Sequence, residues 1–404
     1  MELTKTQRTK AIIAVCLVAI VGMSANTVAT TFALMASEFG SVSDTQIQMI
    51  AGLPNLMSVP VGLLAMRINN KISMKNLLII GALFMLAGGL GIFAFTSFSG
   101  ILVCRAVFGL GNGLLHPLTI ANVAMLFDGQ MRNKALGLKQ AFTLGGGLMF
   151  TLLGGWLGTF GWRYTYLCYL VLIPAVLALI FWMPDAGKTY RDENAPREKM
   201  VISKSAIRIF ISIFFIQMIC QTNCVNLAFL VDDIGLGSSG TVGIFMAATM
   251  IAGFVFGFLF KPMYSKLGRY MITFGMLCEA LCQLLCAYHP TYVSLLIGNA
   301  FIGIALASYE PTFHALLSRC VPKTSVTAVM GIWSAILAFS NFMTSYIITP
   351  LGDVHVRFYV TAGIAVVYLI VDLCLPPIKY YGSSYRADRP LPSGVALDGV
   401  ESCD

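Results

Sequence analysis

Long apolar stretches separated by short polar segments follow one another along almost the whole chain. Each stretch is apolar throughout instead of alternating, and about 20 such residues form a helix that crosses the roughly 30 Å hydrocarbon core of a bilayer. Twelve stretches of this length can be placed, at 11–36, 45–66, 76–97, 100–126, 135–158, 162–183, 205–231, 238–260, 270–288, 292–318, 325–349 and 354–376. The pattern therefore predicts an all-α membrane protein with 12 transmembrane helices and excludes a membrane β-barrel, whose strands alternate.

The sequence of the fourth stretch is repeated, with substitutions, in the tenth stretch. The segment RAVFGLGNGLLHPL, which begins at Arg105, is answered 194 residues later by NAFIGIALASYEPT, which begins at Asn299. Small and helix-bending residues are kept while polar ones change, in the pairs Gly109/Gly303, Pro117/Pro311, Arg105/Asn299 and His116/Glu310. The first and seventh stretches match in the same way, with Asn26 at the position of Gln221. Two pseudo-symmetric halves of equal orientation are therefore predicted, each a six-helix bundle.

Charge predicts the orientation of the helices. Only 11% of the 404 residues are charged, against about 25% in a typical soluble domain. If the N-terminus is cytoplasmic, the cytoplasmic segments hold all but four of the 26 Lys and Arg residues, the exceptions being Arg105, Lys139, Arg163 and Arg357. The positive-inside rule then predicts a multi-pass protein of a bacterial inner or plasma membrane with both termini in the cytoplasm. The cations form no basic stripe, which argues against nucleic-acid binding.

The predicted domains are an N-terminal bundle over 1–183, a charged cytoplasmic linker over 184–204, a C-terminal bundle over 205–376 and a cytoplasmic tail over 377–404. The sequence contains neither a Gly-rich phosphate loop with its lysine nor a nucleophile elbow or zinc-binding helix motif. It therefore predicts no enzyme and no cofactor, and we expect a monomer.

Four local patterns of glycine and charged residues stand at corresponding places in the first half. They are Gly62, Leu64, Arg67 and Lys71 after the second helix; Arg105 with Gly109, Gly111 and Gly113 on the fourth; Gly137, Gly146, Gly154 and Gly155 on the fifth; and Trp162-Arg163 at the start of the sixth. On these patterns the chain resembles the major facilitator superfamily (MFS). The fifth-helix pattern is associated with antiporters, although Phe150 and Thr151 replace its central Gly-Pro pair. The resemblance implies a secondary transporter whose two bundles rock around a central site, with a role for Arg105 in proton-coupled exchange.

Ionisable side chains at membrane depth are the main functional candidates, because burying them in hydrocarbon is costly and they usually face a cavity. At about 100° per residue, Arg105, Asn112 and His116 share one face of the fourth helix. On the tenth helix, His314 lies one turn after Glu310. We expect Glu310 to carry a coupled proton, with His314, Arg105 and His116 as partners that alter its affinity. The alternatives are a fixed structural pair for Glu310 and a backbone contact for His116.

Further polar residues in the same stretches complete the predicted solute-binding set, which is Asn26, Arg105, Asn112, His116, Gln140, Gln217, Gln221, Asn299, Glu310 and Asn341. The amides among them can instead only join helices by hydrogen bonds. We expect Lys139 to reach back to the cytoplasmic surface. The superfamily fold implies that the ninth helix, which carries Glu279, lies at the periphery, which argues against Glu279 as a coupling site.

The expected function is secondary active transport of a small organic solute that is amphiphilic, zwitterionic or anionic, coupled to protons. Export by antiport and uptake of a carboxylate-like metabolite by symport both stay open. A stripe of thiols at Cys278, Cys282 and Cys286 leaves a soft-metal (copper) transporter as an alternative, although such stripes are more often packing and no metal site is predicted. A membrane sensor of the same fold that does not transport is the last alternative.

Overall fold

The computed structural model describes residues 4–127, 129–185, 187, 202–268, 270–321 and 326–374, and within these residues no strand occurs. Twelve helices are long and apolar enough to cross a membrane, so the predicted all-α class is confirmed. They are α1 Lys5–Glu38, α2 Asp44–Asn69, α3 Met74–Ala94, α4 Phe98–Leu126, α5 Gly129–Gly158, α6 Trp162–Trp182, α7 Lys204–Asp233, α8 Ser239–Leu267, α9 Tyr270–Tyr288, α10 Tyr292–Arg319, α11 Val326–Ile347 and α12 Val354–Cys374. Most of the predicted linker and the whole predicted tail lie outside the described residues.

Several helices begin earlier than the apolar pattern predicts. Helix α1 starts at Lys5, where the Thr4 side chain accepts a hydrogen bond from the Gln7 backbone N–H in a capping box. Helix α5 starts at Gly129, six residues before the predicted position. The difference arises because hydropathy marks only the residues within the hydrocarbon layer, whereas a helix can continue into the polar interface.

Close contacts between helix backbones hold each half together at equivalent places. In the N-terminal bundle, a Cβ atom on Gly109 of α4 would lie 2.5 Å from the Pro54 carbonyl oxygen of α2. In the C-terminal bundle, a Cβ atom on Gly303 of α10 would lie 2.8 Å from the Gly253 nitrogen of α8 and even closer to the Thr249 carbonyl oxygen. Thr249 is the repeat counterpart of Pro54, so the shared glycines of the two halves serve the same helix contact.

Helix α1 changes to 3₁₀ geometry over Val21–Thr31, an unusually long stretch for this tighter helix. Its hydroxyl groups bond within the helix: Ser24, Thr30 and Thr31 each donate to the carbonyl three residues earlier. This polar part of α1 therefore satisfies much of its own hydrogen-bonding potential.

The two bundles meet through two helix pairs. Helix α2 packs on α11, where a Cβ atom on Gly52 would lie 3.3 Å from the Phe342 Cα. Helix α5 packs on α8, where a Cβ atom on Gly155 would lie 2.9 Å from the Gly243 Cα. The pairs are related by the internal repeat, so the interface has the approximate two-fold symmetry that the sequence predicts.

Replacing Gly109 or Gly303 by alanine should lower the thermal unfolding midpoint of the detergent-solubilised protein, because the added methyl group meets backbone atoms that must move, at a cost of about 1–3 kcal/mol. Gly137→Ala on α5 is the matched control, since a Cβ atom there meets nothing within 4 Å. Differential scanning fluorimetry measures all three. An unchanged midpoint in both test variants would contradict the close packing.

Candidate functional site

A cavity of about 310 Å³, part of it open to solvent, lies within the N-terminal bundle. Its apolar wall comes from α1, α3 and α4, with Val18, Ala19, Val21, Gly22, Met85 and Leu115. Its polar residues come from α4 and α5 and are Asn112, His116, Thr119, Lys139 and Thr143.

Three of these polar side chains have no hydrogen-bond or ion-pair partner among the described residues. The Thr119 and Thr143 hydroxyls donate to carbonyls of their own helices, but none of the hydrogen bonds or ion pairs among the described residues involves the side chains of Asn112, His116 or Lys139. His116 is exposed to the cavity although protein surrounds it. The arrangement offers an amide, an imidazole and an ammonium group to a bound molecule.

Lys139 is the site residue that the sequence analysis missed. Lys139 is only 6% exposed and lines the cavity, so the expectation that its side chain reaches the membrane surface is wrong. The reason is the true start of α5, which places Lys139 ten residues, or about 15 Å, into the helix. His116 lies ten residues before the end of α4, so the two side chains are at the same depth.

Arg105 lies elsewhere, fully buried among the helices of the N-terminal bundle. Its Nη2 donates to the Ala25 carbonyl (2.7 Å), its Nε to the Ile50 carbonyl (2.8 Å) and its Nη1 to the Tyr169 hydroxyl (3.1 Å). The guanidinium also lies 4.8 Å from the centre of the Phe108 ring. In this structure Arg105 therefore joins α4 to α1, α2 and α6 and does not line the cavity, so the face it shares with Asn112 and His116 does not bring it to a solute.

Asn299 also joins neighbouring helices by hydrogen bonds, at the equivalent position of the C-terminal bundle. The Asn223 amide of α7 donates to its side-chain oxygen (2.9 Å), and the Thr249 hydroxyl of α8 donates to its backbone carbonyl (2.9 Å). Its own amide donates to the Leu295 carbonyl (2.8 Å). Like Arg105, it is occupied by contacts between helices, as the amide alternative allows.

Glu310 and His314 lie on α10, but they form no ion pair with each other or with Arg105. Glu310 is half-buried, and the thiol of Cys220 on α7 is close enough to interact with it electrostatically. The His314 ring packs edge-on against Trp333 of α11, with ring centres 4.9 Å apart. The expected partnership of Glu310 with a neighbouring cation is thus absent among the described ion pairs.

The remaining amide side chains of the predicted solute-binding set lie in different environments. Gln217 donates to Asn341 (2.9 Å), which joins α7 to α11. Gln140 is exposed on α5. Asn26 of α1 and its repeat counterpart Gln221 of α7 each hold a buried side-chain atom without a hydrogen-bond partner among the described residues.

Glu279 on α9 is fully buried, so its side chain faces the interior of the C-terminal bundle and not the lipid. Both of its carboxyl oxygens lack a hydrogen-bond partner among the described residues. The nearby thiols of Cys282 and Cys286 lie 4.0 Å apart and face Asn223. No group of three or more metal-ligating side chains occurs in the described part of the chain, so the geometry gives the copper alternative no support.

One end of the molecule is closed by polar contacts between the bundles. We call it the sealed end; it carries the connections 39–43, 234–238 and 348–353, and the opposite, terminal end carries the start of α1 and the end of α12. Asp44 of α2 pairs with Arg357 of α12 at 2.6 Å, and Gln48 of α2 donates to Asn226 of α7 at 2.9 Å. Arg357 donates to Asn226 as well (2.9 Å), and Thr349 donates to Gln48 (2.7 Å).

Among the residues that the structure describes, the hydrogen bonds and ion pairs that join the two bundles lie at the sealed end. The glycine contact between α5 and α8 lies there too, near the end of α5 and the start of α8. Farther along these helices, a Cβ atom on Gly137 or Gly257 would meet nothing within 4 Å. Among the described residues, the polar contacts between the bundles therefore concentrate at this end.

Comparisons with known proteins agree with this architecture. The family model described as Major Facilitator Superfamily matches residues 14–222 and 209–394. The inward-open xylose transporter XylE from E. coli superposes with a TM-score of 0.70 at 17% identity, over 93% of this chain and 98% of that one. A peptide transporter POT in complex with sulfate gives a TM-score of 0.75 at 12% identity, over 90% and 94% of the two chains.

A curated relative adds a functional resemblance. The multi-drug resistance efflux pump PmrA of Streptococcus pneumoniae is 23% identical over 245 residues, which are 57% of this chain. The match covers 60% of the length of that relative.

Arg105→Lys should lower the unfolding midpoint, because lysine cannot reach three acceptors on separate helices; the expected loss is on the order of 2–4 kcal/mol. Arg163→Lys is the matched control, since Arg163 is partly exposed, donates to the neighbouring Ile92 and Phe95 carbonyls and lies 3.9 Å from the Glu38 carboxylate at the surface. Scanning fluorimetry gives both midpoints. A normal midpoint in Arg105→Lys combined with altered solute binding would instead favour the solute contact.

Asp44→Asn should loosen the sealed end, because it removes the charge that pairs with Arg357 across the bundles, a loss on the order of 1 kcal/mol for this partly exposed pair. Hydrogen–deuterium exchange of segments 39–43 and 348–353 should increase. Asp233→Asn removes a similar pair, with His355 at 3.0 Å, that lies within one bundle, and it should leave segment 39–43 unchanged. Equal exchange in the wild-type protein and Asp44→Asn would show that this pair does not hold the seal.

Proposed function

The chain belongs to the major facilitator superfamily, and on that premise we propose that it exports small amphiphilic organic solutes in exchange for protons. As a member of a transporter family it is not an enzyme, and its partners are a small-molecule substrate and the lipid bilayer. The observation that carries the proposal is the polar seal that joins the two bundles at one end, together with a polar-lined cavity inside the N-terminal bundle. In alternating access, rocking the two bundles opens one end of the protein while it closes the other.

The terminal end is placed in the cytoplasm in this proposal. The support is the distribution of Lys and Arg, which concentrates in the segments on that side. With this orientation the sealed end faces away from the cytoplasm, and the protein is open inward as a monomer in a bacterial inner membrane or plasma membrane. Solute from the cytoplasm would then enter the state that the structure describes.

Glu310 is the proposed proton carrier. It lies at mid-helix beside Pro311, and none of the described ion pairs includes it. An ionised carboxylate without a partner is costly in apolar surroundings. Protonation of Glu310 therefore favours the states in which its side chain is shielded from water by the packed helices. In exchange transport the carboxyl takes up a proton on the outer side and releases it on the cytoplasmic side. His314 is proposed to tune this step through its position one turn along α10.

Export is proposed over uptake because of the efflux-pump relative, together with the antiporter-type glycines of α5. One of these glycines has a structural consequence: a Cβ atom on Gly146 would overlap the Ile20 carbonyl of α1, so the helix contact depends on its being glycine.

Glu310→Gln should abolish proton-coupled transport while solute exchange at equal pH continues, because glutamine keeps the shape of the side chain but carries no exchangeable charge. In proteoliposomes with trapped pyranine, a panel of organic anions, cations and zwitterions is screened for solute-dependent change of the internal pH. Radiolabelled counterflow then measures exchange. Glu279→Gln is the control, because this second intramembrane carboxyl is buried in the bundle core, and it should retain coupling.

Normal coupling in Glu310→Gln would remove Glu310 as the carrier. If the wild-type protein moves neither protons nor solute across the whole panel, a sensor that does not transport explains the fold better.

A further inference from the structure

We infer that the cavity of the N-terminal bundle binds the carboxylate group of an amphiphilic organic anion, with the ammonium group of Lys139 as its charge partner. The inference rests on the proposed transport function, whose solute it specifies. It replaces Arg105, the cation that helix periodicity favours, with a residue that faces the cavity.

The first argument is the unpaired charge. Lys139 is 6% exposed, it lines the cavity, and none of the ion pairs or hydrogen bonds among the described residues involves its side chain. An ammonium group has three donors, and the described protein groups around Lys139 supply no acceptor for them. An anionic ligand in the cavity supplies the missing acceptors.

The second argument is the composition of the wall. His116 and Asn112 line the same cavity as Lys139 and have no partner of their own within the described chain, and the described lining contains no acidic residue. One ammonium group with two weaker donors matches a singly charged carboxylate better than a phosphate dianion, which needs more donors. The residues that α1 and α3 contribute, among them Val18, Val21 and Met85, supply apolar contacts for the rest of the molecule.

The third argument comes from the internal repeat. At the offset of 194 residues, His116 and Lys139 correspond to Glu310 and Trp333. The C-terminal bundle therefore carries an acid and an aromatic ring where the N-terminal bundle carries two nitrogen bases. Anion binding is accordingly a property of the N-terminal half alone, and it is separated from the proposed proton carrier.

The test compares ligands that differ only in charge. Radiolabelled benzoate, phenylacetate, indole-3-acetate and octanoate, each paired with its neutral amide, are equilibrated by dialysis with the purified full-length protein in dodecyl maltoside. At least one carboxylate should bind the wild-type protein, and its amide should bind about tenfold more weakly or worse. Lys139→Gln should abolish that preference, and Lys139→Arg should restore part of it. Lys134→Gln, an exposed lysine on the same helix, is the matched control and should bind as the wild-type protein does.

Three results would overturn the inference: equal binding of carboxylate and amide, unchanged selectivity in Lys139→Gln when that variant has a normal unfolding midpoint, or no carboxylate binding across the set. The assay needs neither flux nor a proton gradient. Charge-selective binding without flux would therefore reject the proposed transport and keep the anion site, whereas flux with unselective binding would do the reverse.

Discussion

Water is absent from the interior of a bilayer, so each polar side chain there must find a partner in the protein or face a cavity. Arg105 meets this requirement with three acceptors on three helices. Lys139 has no such partner within the described protein and faces the cavity instead. The hydrogen-bonding state of a residue thus separates two cations that look alike in composition: one fastens helices, and the other is available to a ligand.

The same requirement explains what the two halves share. Arg105 and Asn299 occupy equivalent positions, and both join a central helix to its neighbours by donating to or accepting from backbone and side-chain groups. The glycine contacts at Gly109 and Gly303 lie one turn farther along and bring the same helix pairs together. Arg105 and Asn299 therefore differ in the hydrogen bonds that they use, but both serve the same kind of contact between helices. The difference that reaches the cavity walls is the one from His116 to Glu310.

The polar contacts of the sealed end lie near the membrane surface. The Asp44–Arg357 pair lies at the start of α2 and α12, near the membrane surface, where water can replace each partner when the bundles part. A polar seal at this depth opens at modest cost, because neither charge has to be left in hydrocarbon. The cavity lies deeper, inside the N-terminal bundle, and part of its wall is apolar.

The sequence by itself determined the twelve helices and the division into two related halves, because hydropathy and repeat spacing are properties of the chain alone. It also identified Asn112 and His116, which share a helix face and do line the cavity. It could not choose between Arg105 and Lys139. Periodicity tells which residues share a face, but the neighbour that covers that face is decided by packing, which buried Arg105 against three helices. Only the tertiary structure, by beginning α5 early and turning Lys139 inward at the depth of His116, decided which cation faces the cavity.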